Sequence, residues 1–520
     1  MAVVSLVTVV AFESLAISTV MPIVEADLGE IQLYGWVFSA FYMGTLIGVV
    51  VGGNAVDHVR PIGPMMVGIA VFMAGLVAGG LAPSMEVLVA GRFLQGLGAG
   101  VVPAVSYVVV ARGFPDQLHP QVFAAMSTAW IMPALVSPLL ASVVARHVGW
   151  RWVFLGLIPV TAVVAAIGGP AVAKVDDTPR LSPSPGPAQS SPSSAPSQSS
   201  SSSALSSAPV RSSPLLRVFV LATGATAAII GLGLDDLVLG LPLAAVGLVV
   251  MIPAFTRLTP PGTLAARPRL PATILIRGLL TFSFFSADAF LSLAVTSIRH
   301  RTTIYAGFAL VASSVFWTVG SWVQARYLSR IADRIADRVA NRIAEPGADR
   351  IAEPIAEPGA GGSTAAARQS DPNAEAERAG SSRLVGSGGL LLLIGACGMI
   401  ASLSQRVPIG AWVLSSATMG LGMGLAYTTI SVVALAEAEP GREGAATSAL
   451  QMSDILGVAL GTGLAGVMVA VGARFEGAGA TALACVFGSS AVVAFLVAAL
   501  APRLSRVTPT TAQAAPSGLG

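Results

Sequence analysis

Charged residues inside the long apolar stretches of this 520-residue chain include Glu13, Arg92, Asp288 and Asp454. A charged side chain at the centre of a bilayer costs roughly 2.5–3.5 kcal/mol, so such a residue favours a cavity or a partner. A carboxylate in that setting can bind and release a proton, because burial and a nearby cation shift its proton affinity in opposite directions. These residue types therefore indicate proton or substrate binding within a membrane.

The composition is that of a membrane protein. Hydrophobic residues make up 54% of the chain and charged residues only 11%, and the mean hydropathy is +0.78. Soluble domains average about 25% charged residues, so there is too little charge to coat a soluble protein of this length. A net charge of +3 is too small and too spread out to indicate nucleic acid as a partner.

Fourteen apolar runs are long enough to cross a hydrocarbon core, which takes roughly 20 residues. They predict an all-α integral membrane protein with both termini on one side. The predicted spans are 2–23, 33–53, 63–82, 86–110, 121–145, 151–171, 215–233, 237–255, 272–297, 304–325, 385–403, 408–435, 446–471 and 479–501.

Basic residues predict the orientation. With both termini in the cytoplasm, the short inner loops and ends hold twelve basic residues, and the loop after the tenth span holds nine more. The outer loops hold six. The sequence therefore predicts a multi-pass protein of the cell membrane with cytoplasmic termini.

Two inserts divide the chain into domains. Residues 182–209 consist almost entirely of Ser, Pro, Ala and Gln, and such a composition cannot bury a core. Residues 330–358 repeat a four-residue unit and predict a helical extension of the tenth span followed by coil. The predicted domains are a six-helix bundle (1–171), a disordered linker (172–214), an extra two-helix hairpin (215–255), a second six-helix bundle (272–501) with a cytoplasmic low-complexity loop (326–384), and a cytoplasmic tail (502–520).

Glycine patterns point to close helix packing and to an internal repeat. Gly44, Gly48 and Gly52 form a stripe on the second span, and a similar stripe begins at Gly457 on the thirteenth. The pattern GLGxG occurs once in the fourth span and again in the twelfth, beginning at Gly420. If spans seven and eight are an extra pair, it falls each time on the fourth helix of a six-helix set. Such repeats around a central cavity are a known transporter architecture.

Three motifs resemble those of the major facilitator superfamily. Residues 53–60 (GNAVDHVR) resemble its loop motif GxxxDRxGR, and residues 149–154 (GWRWVF) resemble the entry to helix six of the fourteen-helix drug:H⁺ antiporters (EmrB/QacA type). Residues 92–100 (RFLQGLGAG) resemble the helix-four motif RxxQGxGxG, whose matching positions here are Arg92, Gln95, Gly96, Gly98 and Gly100.

The resemblance implies roles for several residues. Helices one and four are neighbours in that fold, and the estimated depths of Glu13 (about 15 Å) and Arg92 (about 10 Å) would let their side chains meet. We expect a titratable carboxylate tuned by Arg92, with a permanent structural ion pair as the alternative. The loop motif predicts that Gly53, Asp57 and Arg60 take part in conformational gating.

Other candidates are less specific. The resemblance places Asp288 on a cavity-lining helix, which makes it a proton or substrate site. Asp454 is a candidate for the substrate cavity, but it is nearer the cytoplasmic end, so a structural hydrogen-bonding role is slightly favoured for it. The aromatic residues Tyr42, Tyr107 and Trp130 could line an apolar pocket or serve only in packing. The four histidines show no metal-ligand spacing, so no metal or cofactor is predicted, and the two cysteines are interpreted as small core residues.

The predicted function is proton-coupled export of small amphipathic or drug-like compounds by alternating access. The helix-five region, Ser137-Pro-Leu-Leu-Ala141-Ser142, lacks the glycines of the antiporter motif GPxxGG. A facilitator or symporter of a metabolite therefore stays open as an alternative. No array of His, Asp or Glu at the membrane edge indicates an enzyme. Substrate, coupling ion, direction and oligomeric state are left open by the sequence.

The predicted topology can be tested by cysteine labelling. A cysteine at Ser193, in protein with Cys397 and Cys485 replaced, should be shielded from an impermeant maleimide in intact cells and labelled after permeabilisation. Labelling in intact cells would contradict a cytoplasmic linker.

Overall fold

The computed structural model describes residues 2–113, 131–176, 214–234, 236–344, 372–438 and 443–505. Within these ranges the chain forms long helices and no strand. Hydrocarbon offers no water to the backbone, so a spanning segment must satisfy its own N–H and C=O groups, as a helix does. Thirteen of the described helices are long and apolar enough to cross a membrane.

The helices follow the predicted order. The first six are α1 (Ala2–Leu28), α2 (Tyr34–His58), α3 (Ile62–Gly80), α4 (Met85–Gly113), α5 (Ile131–His147) and α6 (Leu157–Asp176), the last preceded by a helical turn, Arg151–Leu155. The others are α7 (Pro214–Gly233), α8 (Leu237–Leu258), α9 (Leu270–Leu293), α10 (Thr303–Ala344), α11 (Pro372–Ser402), α12 (Gly410–Ala436), α13 (Glu443–Gly472) and α14 (Gly479–Leu500).

Two spans extend well beyond their predicted ends. Helix α10 continues to Ala344, so the first repeats after 330 are helical, and α11 already begins at Pro372. The Ser/Pro-rich segment 182–209 and the N-terminal part of the predicted fifth span lie outside the described residues.

The two six-helix sets, α1–α6 and α9–α14, pack in the same way. In the first set α4 packs on α2 and α3, α1 packs on α5 and α6, and α3 packs on α6. Adding eight to each number gives the contacts of the second set: α12 with α10 and α11, α9 with α13 and α14, and α11 with α14. The internal repeat predicted from GLGxG is therefore present in the packing.

The GLGxG glycines create the closest approaches in each set. A Cβ on the outer glycines of either segment would overlap a backbone carbonyl of α2 or of α10, and one on the central glycine would overlap α3 or α11. The contacts are Gly96 with Phe41, Gly98 with Gly68, Gly100 with Thr45, Gly420 with Ser313, Gly422 with Gly388, and Gly424 with Trp317. Without side chains at these positions the helix backbones come into direct contact.

The glycine stripes on α2 and α13 pack within the halves. The α2 stripe lies against α4, and Gly457 and Gly461 of α13 lie against α9. Helices α2 and α13 do meet across the halves, but their closest approach is between Gly35 and Gly466.

The halves are joined tightly at one end of the bundle, where α1 ends and α2 begins; we call it the α1–α2 end. Ser39 Oγ of α2 donates to the Ala459 carbonyl of α13 at 2.9 Å. On the other side of the bundle, the Ser142 hydroxyl of α5 lies 2.8 Å from the Thr303 hydroxyl of α10. The rings of Tyr34 and Phe38 on α2 pack against Phe290 of α9, with centroid separations of 5.1 and 6.3 Å.

Helices α7 and α8 form the predicted extra hairpin. Helix α7 packs against α2 and α13 at the junction between the halves, and α8 packs against α7. Cys397 and Cys485 are exposed on the outside of the bundle, so their interpretation as core residues is wrong.

A substitution at Gly96 should test the helix packing. Gly96→Val would push a side chain into the Phe41 carbonyl and separate α4 from α2, so we expect little folded protein. Gly488→Val on α14 is the matched control, because a Cβ at Gly488 meets no atom within 4 Å. Size-exclusion profiles and thermal unfolding in detergent measure both, and equal behaviour would contradict the packing argument.

Candidate functional site

Glu13 and Arg92 form a buried ion pair in the first half, as their estimated depths and the family resemblance together predict. The Arg92 side chain is 1% exposed and that of Glu13 is 2% exposed, and Arg92 Nη1 binds Glu13 Oε1 directly. Arg92 Nη1 also donates to Gln95 Oε1 at 2.6 Å, and Arg92 Nε donates to the Val37 carbonyl at 3.1 Å. The guanidinium carbon lies 4.3 Å from the centre of the Phe41 ring.

This arrangement leaves one carboxylate oxygen unused. Glu13 Oε2 is buried and accepts no hydrogen bond from a described residue. Removing two charges from water costs several kcal/mol for each ion, and their attraction repays this only when the remaining lone pairs are satisfied. Oε2 is therefore the oxygen of this pair at which a proton could bind while Oε1 keeps its contact with Arg92.

A second charge cluster, in the other half, contains a residue that the sequence analysis missed. Arg277 on α9 binds Asp454 on α13, with Nε 3.1 Å from Oδ1 and Nη2 3.3 Å from Oδ2. Arg277 Nη1 donates to the Tyr427 carbonyl at 2.8 Å and to Ser431 Oγ at 3.1 Å, and the Tyr427 hydroxyl donates to Asp454 Oδ2 at 2.9 Å. Every nitrogen of Arg277 thus has a partner.

A signal for Arg277 was present in the sequence. Of the 29 Lys and Arg residues, 27 lie in the predicted loops, tail or helix ends, and the two remaining are Arg92 and Arg277. A count of basic residues by span would have found both.

Aromatic rings connect the two charge clusters. Tyr42 of α2 lies 5.3 Å from Phe41 and 6.3 Å from Phe285 of α9, measured between ring centres. From Phe285 the distance to Trp317 of α10 is 6.4 Å, and from Trp317 to Tyr427 of α12 it is 5.3 Å. The rings Tyr42, Phe285, Trp317 and Tyr427 are all partly exposed and form a row that crosses from α2 to α12.

Asp288 lies in the same region without a partner. It is partly exposed, and it makes no hydrogen bond or ion pair with a described residue. It follows Arg277 on α9 by eleven residues, or three helical turns, so both occupy one face of that helix. The Tyr42 hydroxyl lies within electrostatic range of Arg92, Asp288, Glu13 and Asp454, so all four charged residues lie in the region of this ring.

The other predicted residues lie elsewhere in the structure, contact the charged residues described above, or lie outside the described part. Gly53 has open space around it in α2, and Arg60 is exposed after the end of that helix. The side chains of Asp57 and Tyr107 lie outside the described part, as does Trp130, so gating by the loop motif stays a prediction. Gln95 supports Arg92, whereas Gly96, Gly98 and Gly100 serve helix packing.

The motif at residues 149–154 has a structural role at the α1–α2 end. Trp150 Nε1 and Arg151 Nη1 both donate to Asp27 Oδ2 of α1, at 2.9 and 2.8 Å. Among the described residues, no three His, Cys, Asp or Glu side chains converge as metal ligands would.

Known proteins share this architecture and these motifs. A family model of the Major Facilitator Superfamily matches residues 3–343. The chain belongs to the major facilitator superfamily. It is therefore a multi-pass membrane transporter with the six-plus-six helix fold of that superfamily and an additional helix pair.

Two curated relatives of this superfamily member are efflux proteins by name. A protein of Mycobacterium tuberculosis named a probable multidrug-efflux transporter is 25% identical over 470 residues, which cover 88% of this chain and 84% of the relative. A multidrug efflux pump of Staphylococcus aureus is 27% identical over 157 residues, which cover 30% of this chain and 35% of that pump.

Solved structures of transporters share the fold. An auto-inhibited peptide transporter of the POT family matches with a TM-score of 0.59 and 16% identity, covering 98% of both chains. A nucleoside transporter matches with a TM-score of 0.56 and 12% identity, covering 96% of this chain and 98% of the other.

The Arg277–Asp454 pair predicts an asymmetric mutational response. Arg277→Gln leaves the Asp454 charge without its cation. We therefore expect the free energy of unfolding to fall by about 3 kcal/mol. This is the low end for a buried pair, because the Asp454 side chain is 19% exposed. Replacing both residues (Arg277→Gln with Asp454→Asn) removes both charges and should restore part of the stability. Thermal unfolding in detergent measures the difference.

Arg151→Gln is the control for this experiment. It breaks an ion pair whose side chains are 42% and 49% exposed. For such a pair the expected loss in the free energy of unfolding is about 0–1 kcal/mol. If the double variant is less stable than Arg277→Gln alone, the charges do not compensate each other as described.

Proposed function

We propose that this transporter exports small amphipathic compounds in exchange for protons, by alternating access of the central cavity. The observation that carries the proposal is Glu13, a buried carboxylate with one oxygen bound to Arg92 and the other without a described partner. It lies in the same region as the row of aromatic rings and a second acid, Asp288, which we propose line the transport cavity.

Proton coupling follows from the setting of Glu13. Burial favours the neutral carboxyl and the Arg92 charge favours the carboxylate, so the balance depends on the distance between α1 and α4 and on the access of water. If the halves rock, at least one of these quantities changes, and the proton affinity of Glu13 differs between the two states. Protonation from outside and release inside would then drive the cycle.

The cavity suits molecules with an apolar body and a polar group. Tyr42, Phe285 and Trp317 offer ring faces to an apolar or cationic group, and Asp288 offers a carboxylate without a described partner. The multidrug names of the two relatives agree with a substrate of this kind. A specific substrate is left open by these features.

The conformation and orientation fit an alternating-access cycle. With the termini in the cytoplasm, as the basic residues predict, the tightly joined α1–α2 end faces the outside. The cell membrane is the proposed location, with the proton gradient across it as the energy source. With the α1–α2 end on the outside, the conformation of the structure is the one in which the two halves are closed toward the exterior.

A facilitator or symporter is the second candidate. Helix α5 has no glycine between Ile131 and His147, and Ser137 Oγ donates to the Phe12 carbonyl of α1 at 2.9 Å. The helix-five region thus departs from the antiporter motif and is bonded to α1. Uptake and efflux in proteoliposomes, with and without an imposed pH gradient, distinguish the candidates, since only an antiporter moves substrate against the proton flow.

The Glu13→Gln variant tests the coupling role. Glutamine mimics the permanently protonated side chain, so gradient-driven transport should be lost while membrane insertion and some substrate binding persist. Arg92→Ala should be more damaging, because it also removes the contacts with Gln95 and Val37. Transport driven by a pH jump in proteoliposomes is the measurement.

Glu25→Gln is the matched control, since Glu25 lies on the same helix near its end and is more exposed than Glu13. It should transport normally. Intact gradient-driven transport by Glu13→Gln would eliminate Glu13 as the coupling residue and leave Asp288 as the candidate.

A further inference from the structure

The extra hairpin leaves a crevice on the outside of the second half. Helix α7 fills the junction of α2 and α13, and α8 packs on α7, so α8 overhangs the bundle. Between α8 and the α9–α13 pair lies a cavity of about 160 Å³. Ile252 and Leu264, which line it, are 43% and 48% exposed, so the cavity opens on the lipid-facing surface.

The crevice is apolar throughout. Its walls include Phe255 of α8, Leu279 and Phe282 of α9, and Leu456 of α13. The single polar side chain in the lining is Ser453, whose hydroxyl donates to the Ile274 carbonyl at 2.7 Å. A water molecule needs two to four polar partners, so this space is suited to hydrocarbon.

An ordered linker closes one end of the crevice. Residues 259–269 connect α8 to α9 and carry Leu264. Thr263 Oγ1 donates to the Pro260 carbonyl at 2.6 Å, and Arg503 Nη1 donates to the carbonyls of Ala265 and Ala266 at 2.7 and 3.0 Å. These bonds hold the linker against the end of the bundle.

Two exposed arginines flank this closed end. Arg257 follows the lining residue Phe255 by two positions, and Arg267 follows Leu264 by three. The side chain of neither makes a hydrogen bond or ion pair with a described residue, whereas the side chain of Arg269 lies 3.8 Å from Glu437. No acidic residue occurs between 237 and 270, so the local charge is positive.

We propose that this crevice binds an anionic phospholipid, with an acyl chain between α8 and α9 and the phosphate held by Arg257 and Arg267. The apolar walls match the chain, and the two arginines match the charge and the acceptor oxygens of the phosphate. On the predicted orientation this end faces the cytoplasmic leaflet, where arginines close to anionic lipid each add to binding.

The lipid would lie next to the transport site. Gly278 and Ser453 line the crevice, and the adjacent residues Arg277 and Asp454 form the ion pair on the cavity side. The α9–α13 crossing therefore separates the lipid from the charge cluster by one layer of backbone. Binding of the lipid does not depend on proton coupling or on the direction of transport.

Fluorescence quenching by brominated lipids tests the proposal. A bimane probe is attached to Leu279→Cys in protein with Cys397 and Cys485 replaced by serine, in phosphatidylcholine vesicles. Brominated phosphatidylglycerol should quench the probe with a preference over brominated phosphatidylcholine on the order of tenfold. Leu264→Cys is a second probe position in case Leu279→Cys does not fold.

The charge variants identify the source of the preference. Arg257→Gln with Arg267→Gln should reduce the preference to near unity. Arg326→Gln with Arg330→Gln is the matched control, because it removes equal charge from exposed positions on α10, a helix that packs on α5, α11 and α12. The control should keep the preference.

Three outcomes would overturn the proposal. Equal quenching by the two lipids would mean that the crevice holds hydrocarbon without recognising a headgroup. Loss of the preference for phosphatidylglycerol in both double variants would show that the preference comes from general surface charge and not from Arg257 and Arg267. Absence of quenching at both crevice probes, with quenching at Val249→Cys on the exposed face of α8, would show that lipid does not enter.

Discussion

The structure depends on the close approach of helix backbones in an environment that provides no hydrophobic attraction between helices. The GLGxG segments of α4 and α12 meet this constraint, since each places three glycines against two neighbouring helices. Arg92 precedes Gly96 by one helical turn and lies on the same face of α4. The contact of Gly96 with Phe41 therefore also brings the guanidinium within reach of the Val37 carbonyl and the Phe41 ring. The same helix contact therefore determines both the packing of α4 on α2 and the position of the Arg92 charge.

The two halves hold their charges in different ways. In the first half Glu13 is buried and keeps one oxygen without a described partner, which is the setting that the proposed proton coupling requires. In the second half Arg277, Asp454 and Tyr427 bind one another, and this network links α9, α12 and α13. A cluster whose members are paired is suited to holding helices in place. We therefore propose that the charges of the first half change protonation during transport, whereas those of the second half hold helices together. Aromatic rings lie between the two groups of charges.

In the proposed cycle the joined α1–α2 end closes the exterior in one state and must open in the other. It contains ring contacts of Phe290 with Tyr34 and Phe38, and hydrogen bonds such as those of Ser39 and Ser142. Each such contact contributes on the order of 1 kcal/mol, so the set amounts to a few kcal/mol. One elementary charge moving through 100 mV provides about 2.3 kcal/mol. In the proposed cycle, the energy of the gradient is thus of the size needed to separate the halves.

The sequence alone determined the membrane class, the order of the helices and the internal repeat. The spans follow from the thickness of the hydrocarbon core, and the repeat follows from the recurrence of GLGxG. The meeting of Glu13 with Arg92 was predicted from their depths together with the family resemblance, which makes helices one and four neighbours. The tertiary structure decided which side of each helix faces inward. It paired Arg277 with Asp454, aligned Tyr42 with Phe285, and placed Cys397 and Cys485 on the exterior. An apolar run does not specify these choices, because lipid accepts apolar side chains on every face of a helix, and only contact with neighbouring helices determines its rotation.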